Sequence, residues 1–317
     1  MRKPFLISVD TEGDGLWWWK PGDPISTNNT KFLPRFQQLC DCFGFKPTYL
    51  TNWEMANDAA YAVFAKQVVD EGRGEVGMHL HAWNTPPICD TMRPKLANPG
   101  QDYLIEYDEA AMEEKIISTT NAIENAIGVR PTTHRAGRWA MDERYFRLLA
   151  KHGYVCDCSA TPLIDWSSCI GASEGSAGSN YTNYSTKPER KTYFDNSSII
   201  EIPLTTTSSG FIMPDRFTPR LFARELKRLA SRRPIQCRPT GTNTGQMLRV
   251  ARRCIAKGDG YLMFMIHSSE LMPGGSPSFP DETSINALYR SLEIFFEAIS
   301  DDYIGMTIGD YAASLDI

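Results

Sequence analysis

Glu75-Val76-Gly77-Met78-His79-Leu80-His81-Ala82-Trp83 is the stretch on which the reading of the fold turns. It has the form of a short buried strand ending in two histidines. Side chains alternate faces along a strand, so His79 and His81 point the same way and their imidazoles can share one ion. Neutral imidazole is the commonest protein ligand for zinc-like metals. Taken alone, the pair is equally compatible with two ordinary histidines bonded to their neighbours.

Upstream, residues 3–10 form an almost continuous apolar run (Phe5, Leu6, Ile7, Val9), the pattern of a buried strand. A helix is expected over 28–44, stopped at Gly44, then a strand over 47–51 and a helix over 58–72. Downstream of a Pro-rich loop, Met112, Ile116, Thr120, Ile123 and Ile127 keep helical spacing between a cap at Asp108 and a stop at Gly128. Strands are expected over 130–135, 154–159, 199–205, 261–267 and 304–308, and helices over 142–153, 218–232, 245–257 and 283–300. The alternation predicts a mostly parallel sheet with helical crossovers. The fold class is therefore α/β, a distorted (β/α) barrel of about seven to eight strands, forming one domain over 1–317. A polar stretch at 165–197 is long enough to be functional or mobile.

In such folds the site lies where the strands end. Asp10, Glu12 and Asp14 follow the first strand, His79 and His81 end the third, and His134 and Arg135 end the fourth. Asp157 lies in the fifth, and His267 and Glu270 close the late strand. Of five histidines only His152 falls elsewhere, near a helix end. Asp10 and Glu12, two apart at a strand end, can enter one pocket, one as a metal ligand and the other as a base. Two histidines and one carboxylate leave the open positions a catalytic zinc needs. The plainer alternative is a solvated acidic turn.

In these residues the chain resembles the polysaccharide deacetylases of carbohydrate esterase family 4, with the NodB-homology fold, and most of all their O-antigen and capsule biosynthesis branch. Ser8-Val9-Asp10-Thr11-Glu12 stands at the place of the catalytic acids, 75–83 at the metal-histidine motif, and His134-Arg135-Ala136-Gly137-Arg138-Trp139 at the arginine motif. Cys156-Asp157-Cys158-Ser159 and Met265-Ile266-His267-Ser268-Ser269-Glu270 complete the ordered set. Three features depart from the family: its metal histidines are commonly four apart, its arginine motif carries a proline and an aromatic, and its metal acid is often Asp.

The resemblance implies a metal-dependent deacetylase that hydrolyses the N-acetyl or N-acyl group of an amino sugar in surface-polysaccharide biosynthesis. It implies a divalent ion, zinc before nickel or cobalt, on Glu12, His79 and His81, with Asp14 a second candidate ligand. Asp10 would be the base, held ionised by Arg135, and His267 the general acid, its tautomer held by Asp157 or by its rival Asp165. Two other functions fit the residues: a metal-dependent amidohydrolase on a small non-sugar amide, and a non-catalytic carbohydrate-binding protein of the same fold.

Trp17-Trp18-Trp19 suit the apolar face of a sugar ring, or pack under their loop. Trp18, Trp83, Trp139 and Glu270 are the expected substrate-binding residues. The net charge of −5 argues against general nucleic-acid binding. It conceals a basic segment at 216–257, with twelve Lys/Arg and one acid, Glu225. Arg220, Arg224, Arg228 and Arg232 recur every four residues, as a solvated face or as an attraction for a nucleotide sugar, a lipid-linked glycan or an anionic membrane. The eight cysteines lack the paired Cys-x-x-Cys pattern of a zinc site and read as reduced thiols. The sequence shows neither a run of eighteen apolar residues nor the h-region and cleavage site of a signal peptide. The expected location is cytoplasmic, at the inner face of the membrane if the basic stripe meets lipid.

Overall fold

The computed structural model describes residues 2–20, 22–88, 102–208 and 234–317. The strands are β1 (Lys3–Thr11), β2 (Pro47–Thr51), β3 (Glu75–Leu80), β4 (Thr133–Ala136), β5 (Cys156–Asp157), β6 (Glu189–Thr192), β7 (Ser198–Glu201), β8 (Thr206–Ser208), β9 (Pro234–Gln236), β10 (Leu262–His267) and β11 (Tyr303–Met306). The α-helices are α1 (Leu33–Cys42), α2 (Trp53–Ala56), α3 (Ala59–Asp70), α4 (Glu109–Ile127), α5 (Glu143–Lys151), α6 (Thr244–Lys257), α7 (Glu282–Ile299) and α8 (Ile308–Ala313).

The strand β1 is the keel. One edge carries β10 along Phe5–Asp10. The other carries β11 along Lys3–Leu6 and β2 along Ile7–Thr11, so two short strands share one long neighbour. The sheet runs β10-β1-β2-β3-β4-β5-β7-β6 and is parallel except for the β6–β7 hairpin. It curls into a half-barrel, and the strip between β7 and β10 is bridged irregularly. Met265 N donates to Cys237 O at 3.0 Å and Met263 N to Thr205 Oγ1 at 2.8 Å.

Alternation along the strands sorts two cores. Phe5, Ile7 and Val9 join Phe264, Ile266 and the apolar faces of α1, α3, α4, α5, α6 and α7. Leu6, Leu50, Cys156, Cys158, Ile200, Met263 and Met265 pack on the concave face with Ile308, Tyr311 and Ala312 of α8. That last helix closes the end of the half-barrel where the strands begin: Ile308 N donates to Thr48 Oγ1 and Gly309 N to Glu75 Oε2, both at 3.0 Å. The other end is left for chemistry.

Local signals explain the elements. Asp58, Asp108, Asp142 and Asp281 each accept a backbone N–H in the first turn of α3, α4, α5 and α7. Gly128 ends α4 at φ 83°, a conformation cheap only for glycine. The expected strand at 154–159 shrinks to two residues, because the Asp157 carboxylate accepts Ser159 N at 2.8 Å and turns the chain. The polar stretch at 165–197 contains β6, an exposed polar edge strand whose sequence has no apolar alternation. The helix expected at 218–232, with its arginine stripe, lies outside the described residues. Among the described residues no helix is long and apolar enough to cross a membrane. Seven described cysteines are free thiols, five of them buried.

Candidate active site

Register brings the polar residues together at the strand ends. Asp10 pairs with His267 across β1–β10, and His79 with Arg135 across β3–β4. Asp10, Glu12, His79, His81 and Arg135 are all buried.

Three ligand atoms converge. His81 Nε2 lies 2.9 Å from Glu12 Oε2 and 3.0 Å from His79 Nε2, and His79 Nε2 lies 3.5 Å from Glu12 Oε2. His79 Nδ1 is 3.0 Å from the carbonyl oxygen of Arg135, a bond that needs its proton on Nδ1 and turns the Nε2 lone pair into the cluster. Two imidazole nitrogens and a carboxylate oxygen within 4.8 Å of one another are a donor set that fits a divalent transition metal. The environment suits ligation. Burial pushes the Glu12 carboxyl up, but hydrogen bonds to His79 and His81 outweigh it and hold it far below its ordinary value. Burial, with His79 adding, pushes His81 down to about 4, so its ring is neutral at neutral pH. Burial also pushes His79 down, but Asp10 and Glu12 outweigh it and raise its pKa.

Asp10 sits beside this cluster with its two oxygens in different surroundings. Oδ1 accepts Arg135 Nη1 at 2.5 Å. Oδ2 lies 4.0 Å from His79 Nε2 and 3.9 Å from His267 Nε2. These spacings are too long for direct hydrogen bonds and leave room for reacting atoms. Burial pushes the Asp10 carboxyl up, but the Arg135 guanidinium, then His79 and His267, bring it below its ordinary value. Arg135 is itself fully buried, with Nε on the Cys158 carbonyl at 3.1 Å and its guanidinium carbon 4.9 Å from the Trp139 ring centre.

Several expected roles are corrected. Asp157 does not face His267. It pairs with His134 across β4–β5, on the face opposite Arg135. Its Oδ1 lies 2.5 Å from His134 Nδ1, and His134 Nε2 lies 2.7 Å from Tyr145 Oη, so His134 also leaves the site. The cause is strand parity: 134 and 135 cannot share a face. Asp165 is exposed in a loop, where it accepts Ser167 N. Asp14 accepts Ser26 Oγ, Asn28 N, Asn29 N and Asn29 Nδ2, which occupies it as a loop clasp. Trp83 is 3 % exposed and its ring lies 4.0 Å from that of His81, so it supports a histidine and offers no face to a substrate. Glu270, 2 % exposed, lies behind His267, with Oε2 3.1 Å from Nδ1.

Trp17, Trp18, Trp19 and Trp139 are all less buried than Trp83. Trp18 is exposed, Trp17 lies edge-on to His267 at 5.0 Å, and Trp139 is half-buried. Trp19 stacks on Trp83.

Sequence reasoning missed four contributors. Ser268 Oγ accepts Glu12 N and donates to Glu12 O, pinning the ligand's backbone. Gly137 lies so close to His81 that a Cβ would sit 2.6 Å from Nδ1. Arg238 reaches His267 and Glu270, and nothing in its local sequence signals this. Burial, with the Glu12 charge adding, lifts the Glu54 carboxyl to about 7.

No family model matches the sequence, and no curated protein does. Solved structures do. A Mycobacterium smegmatis protein described as a polysaccharide deacetylase aligns over 99% of this chain and 90% of its own, at 15% identity and TM-score 0.55. A GH57 branching enzyme from Thermococcus kodakaraensis aligns over 100% and 72%, at 10% identity and TM-score 0.54. A 4-alpha-glucanotransferase from Thermococcus litoralis aligns over 99% of this chain but 41% of its own, at 12% identity and TM-score 0.53. At these identities the likeness is one of fold: the curled, mostly parallel sheet expected of a NodB-like domain.

Proposed function

We propose that this chain is a metal-dependent deacetylase that removes an N-acetyl group from an amino sugar during the assembly of a surface polysaccharide. One observation carries the reading. A carboxylate paired with a buried arginine, a buried Glu/His/His ligand set and a histidine whose Nε2 faces both meet at one end of the sheet. Mere binding of a sugar needs no base, ion site and acid together. Structural neighbours named as polysaccharide and glucan enzymes lend the carbohydrate reading support.

Glu12, His79 and His81 would hold the ion. When bound, it supplies Lewis-acid polarisation of the amide carbonyl and a lowered pKa for water. Asp10, kept ionised by Arg135, accepts through Oδ2 the proton that water loses on attacking the carbonyl carbon. His267 gives a proton from Nε2 to the amine nitrogen as the C–N bond breaks, and acetate and the free amino sugar leave. Trp18 and Trp139 would meet the sugar's apolar face. The substrate in this proposal is a nucleotide sugar or lipid-linked glycan, and the whole described span acts as one catalytic unit.

The test is metal content of the purified protein beside the His79→Ala/His81→Ala variant, followed by acetate release from a panel of N-acetylated sugars and small amides. About one equivalent of divalent ion, lost in the variant, with turnover on an N-acetyl sugar is the expected outcome. A protein that neither contains nor takes up zinc sinks the reading, and turnover confined to small amides moves it to another amidohydrolase.

A further inference from the structure

His267 has a second side. Its Nε2 faces the cluster, 3.9 Å from both Asp10 Oδ2 and Glu12 Oε1, while its Nδ1 faces a pair of opposite charge, the buried Glu270 and the half-buried Arg238. Glu270 Oε2 lies 3.1 Å from Nδ1 and accepts the backbone N–H of His267 at 2.9 Å. Glu270 Oε1 accepts Arg238 Nη2 at 2.9 Å, and that same Nη2 lies 3.1 Å from His267 Nδ1. Burial pushes the Glu270 carboxyl up, but Arg238 and His267 outweigh it and hold it at about 2. The indole of Trp17 closes the group from outside, edge-on to His267 and about as near to Arg238.

The two contacts at Nδ1 are mutually exclusive. An Nδ1–H donates to Glu270, whereas a bare Nδ1 accepts from Arg238. The first lets an imidazolium lose its Nε2 proton and become neutral. The second places the neutral ring's only proton on Nε2, where losing it would require an imidazolate.

We propose that Glu270 and Arg238 are positioning residues that fix His267 as the Nδ1–H tautomer, Glu270 by accepting that proton and Arg238 by holding Glu270 in place. This rests on the hydrolase reading above. In the balanced step the imidazolium carries N–H at both nitrogens. The C–N bond breaks with its electron pair going to nitrogen, which takes the Nε2 proton. The ring is left neutral, still bonded through Nδ1–H to Glu270. The orienting carboxylate then comes from the turn that follows the histidine's own strand, not from a neighbouring strand, because Asp157 is committed to His134 on the opposite face.

The test uses zinc-loaded protein labelled with 15N histidine, with His267→Ala to assign the resonance. The wild type is expected to show Nδ1–H at His267, and Glu270→Leu to switch to Nε2–H because only the Arg238 donor remains. A wild type already in the Nε2–H form, or no switch in the variant, overturns the proposal, and the wild-type spectrum decides even if the variant does not fold. A kinetic arm excludes a merely structural role. On a chitooligosaccharide, whose amine must be protonated to leave, Glu270→Leu should lower kcat by about 10²-fold with little change in KM. On 4-nitrophenyl acetate, whose leaving group needs no proton, the loss should be far smaller. Equal losses on both substrates overturn the positioning role. Absence of acetate release by the wild type from every probe overturns the hydrolase reading itself, and the proton delivery with it.

Discussion

Gly137 shows how a single hydrogen atom supports the ligand set. A Cβ there would lie 2.6 Å from both His81 Nδ1 and Leu80 O, inside any real contact distance. Gly137→Ala must therefore displace the His81 ring, whose Nε2 is one of the three converging atoms. The expected result is a folded protein whose zinc affinity, by chelator competition, falls about 10–100-fold, as for other supports of metal ligands. Unchanged affinity would mean that His81 is not a ligand. Asp10 supplies the opposite signature. Its oxygens are spent on Arg135 and on the space between two histidines, not on the cluster. Asp10→Asn is expected to keep its metal and lose at least about 10²-fold in turnover. Metal lost together with turnover would make Asp10 a ligand.

At the scale of the element, parity along the strands decides who belongs to the site. His79 and His81 share a face, and so do Asp10 and Leu6; His134 and Arg135 cannot. The loop after β3 is held from below by α4. Lys115 is buried and its Nζ donates to the carbonyls of Ala82, Thr85 and Pro87 at 3.1, 2.6 and 3.0 Å. This cation clamps the backbone directly behind His81. Lys115→Met keeps the volume but strands three carbonyls, with an expected cost of about 1–3 kcal/mol in denaturant unfolding. A mutant as stable as the wild type would show that water replaces the clamp without loss.

At the scale of the molecule, the half-barrel separates a plugged end, closed by α8, from a chemical end, and it buries polar groups on both faces. On the outer face Glu201 packs against Asp157, and its Oε1 accepts Ala160 N at 2.9 Å. Burial, then the Asp157 carboxylate, raises the Glu201 carboxyl well above its ordinary value, so the folded protein holds a proton that the unfolded chain releases. A raised folded-state pKa stabilises below the unfolded value near 4.5 and loses that contribution as pH rises through the folded value. Glu201→Gln, which keeps a donor for Asp157 and an acceptor for Ala160, should remove this loss. Thermal unfolding at pH 6 and pH 9 should therefore show a smaller alkaline drop in the variant than in the wild type. Equal drops would place the pH sensitivity elsewhere.

What the amino-acid order determined by itself was periodic and local. Alternating apolar runs, aspartate caps and glycine stops set the parallel architecture, the strand ends and the shared face of His79 and His81, because each depends on neighbours a few residues away. The exposed strand Glu189–Thr192 escaped that reading because an edge facing water needs no apolar pattern. The tertiary structure alone decided the partnerships. Asp157 went to His134 and Glu270 to His267, Asp14 became a clasp, Trp83 a support, and Arg238 entered from 29 positions before His267. Partner choice among buried charges follows from which strand faces and loops the curled sheet brings within hydrogen-bond reach, and that distance is not a function of spacing along the chain.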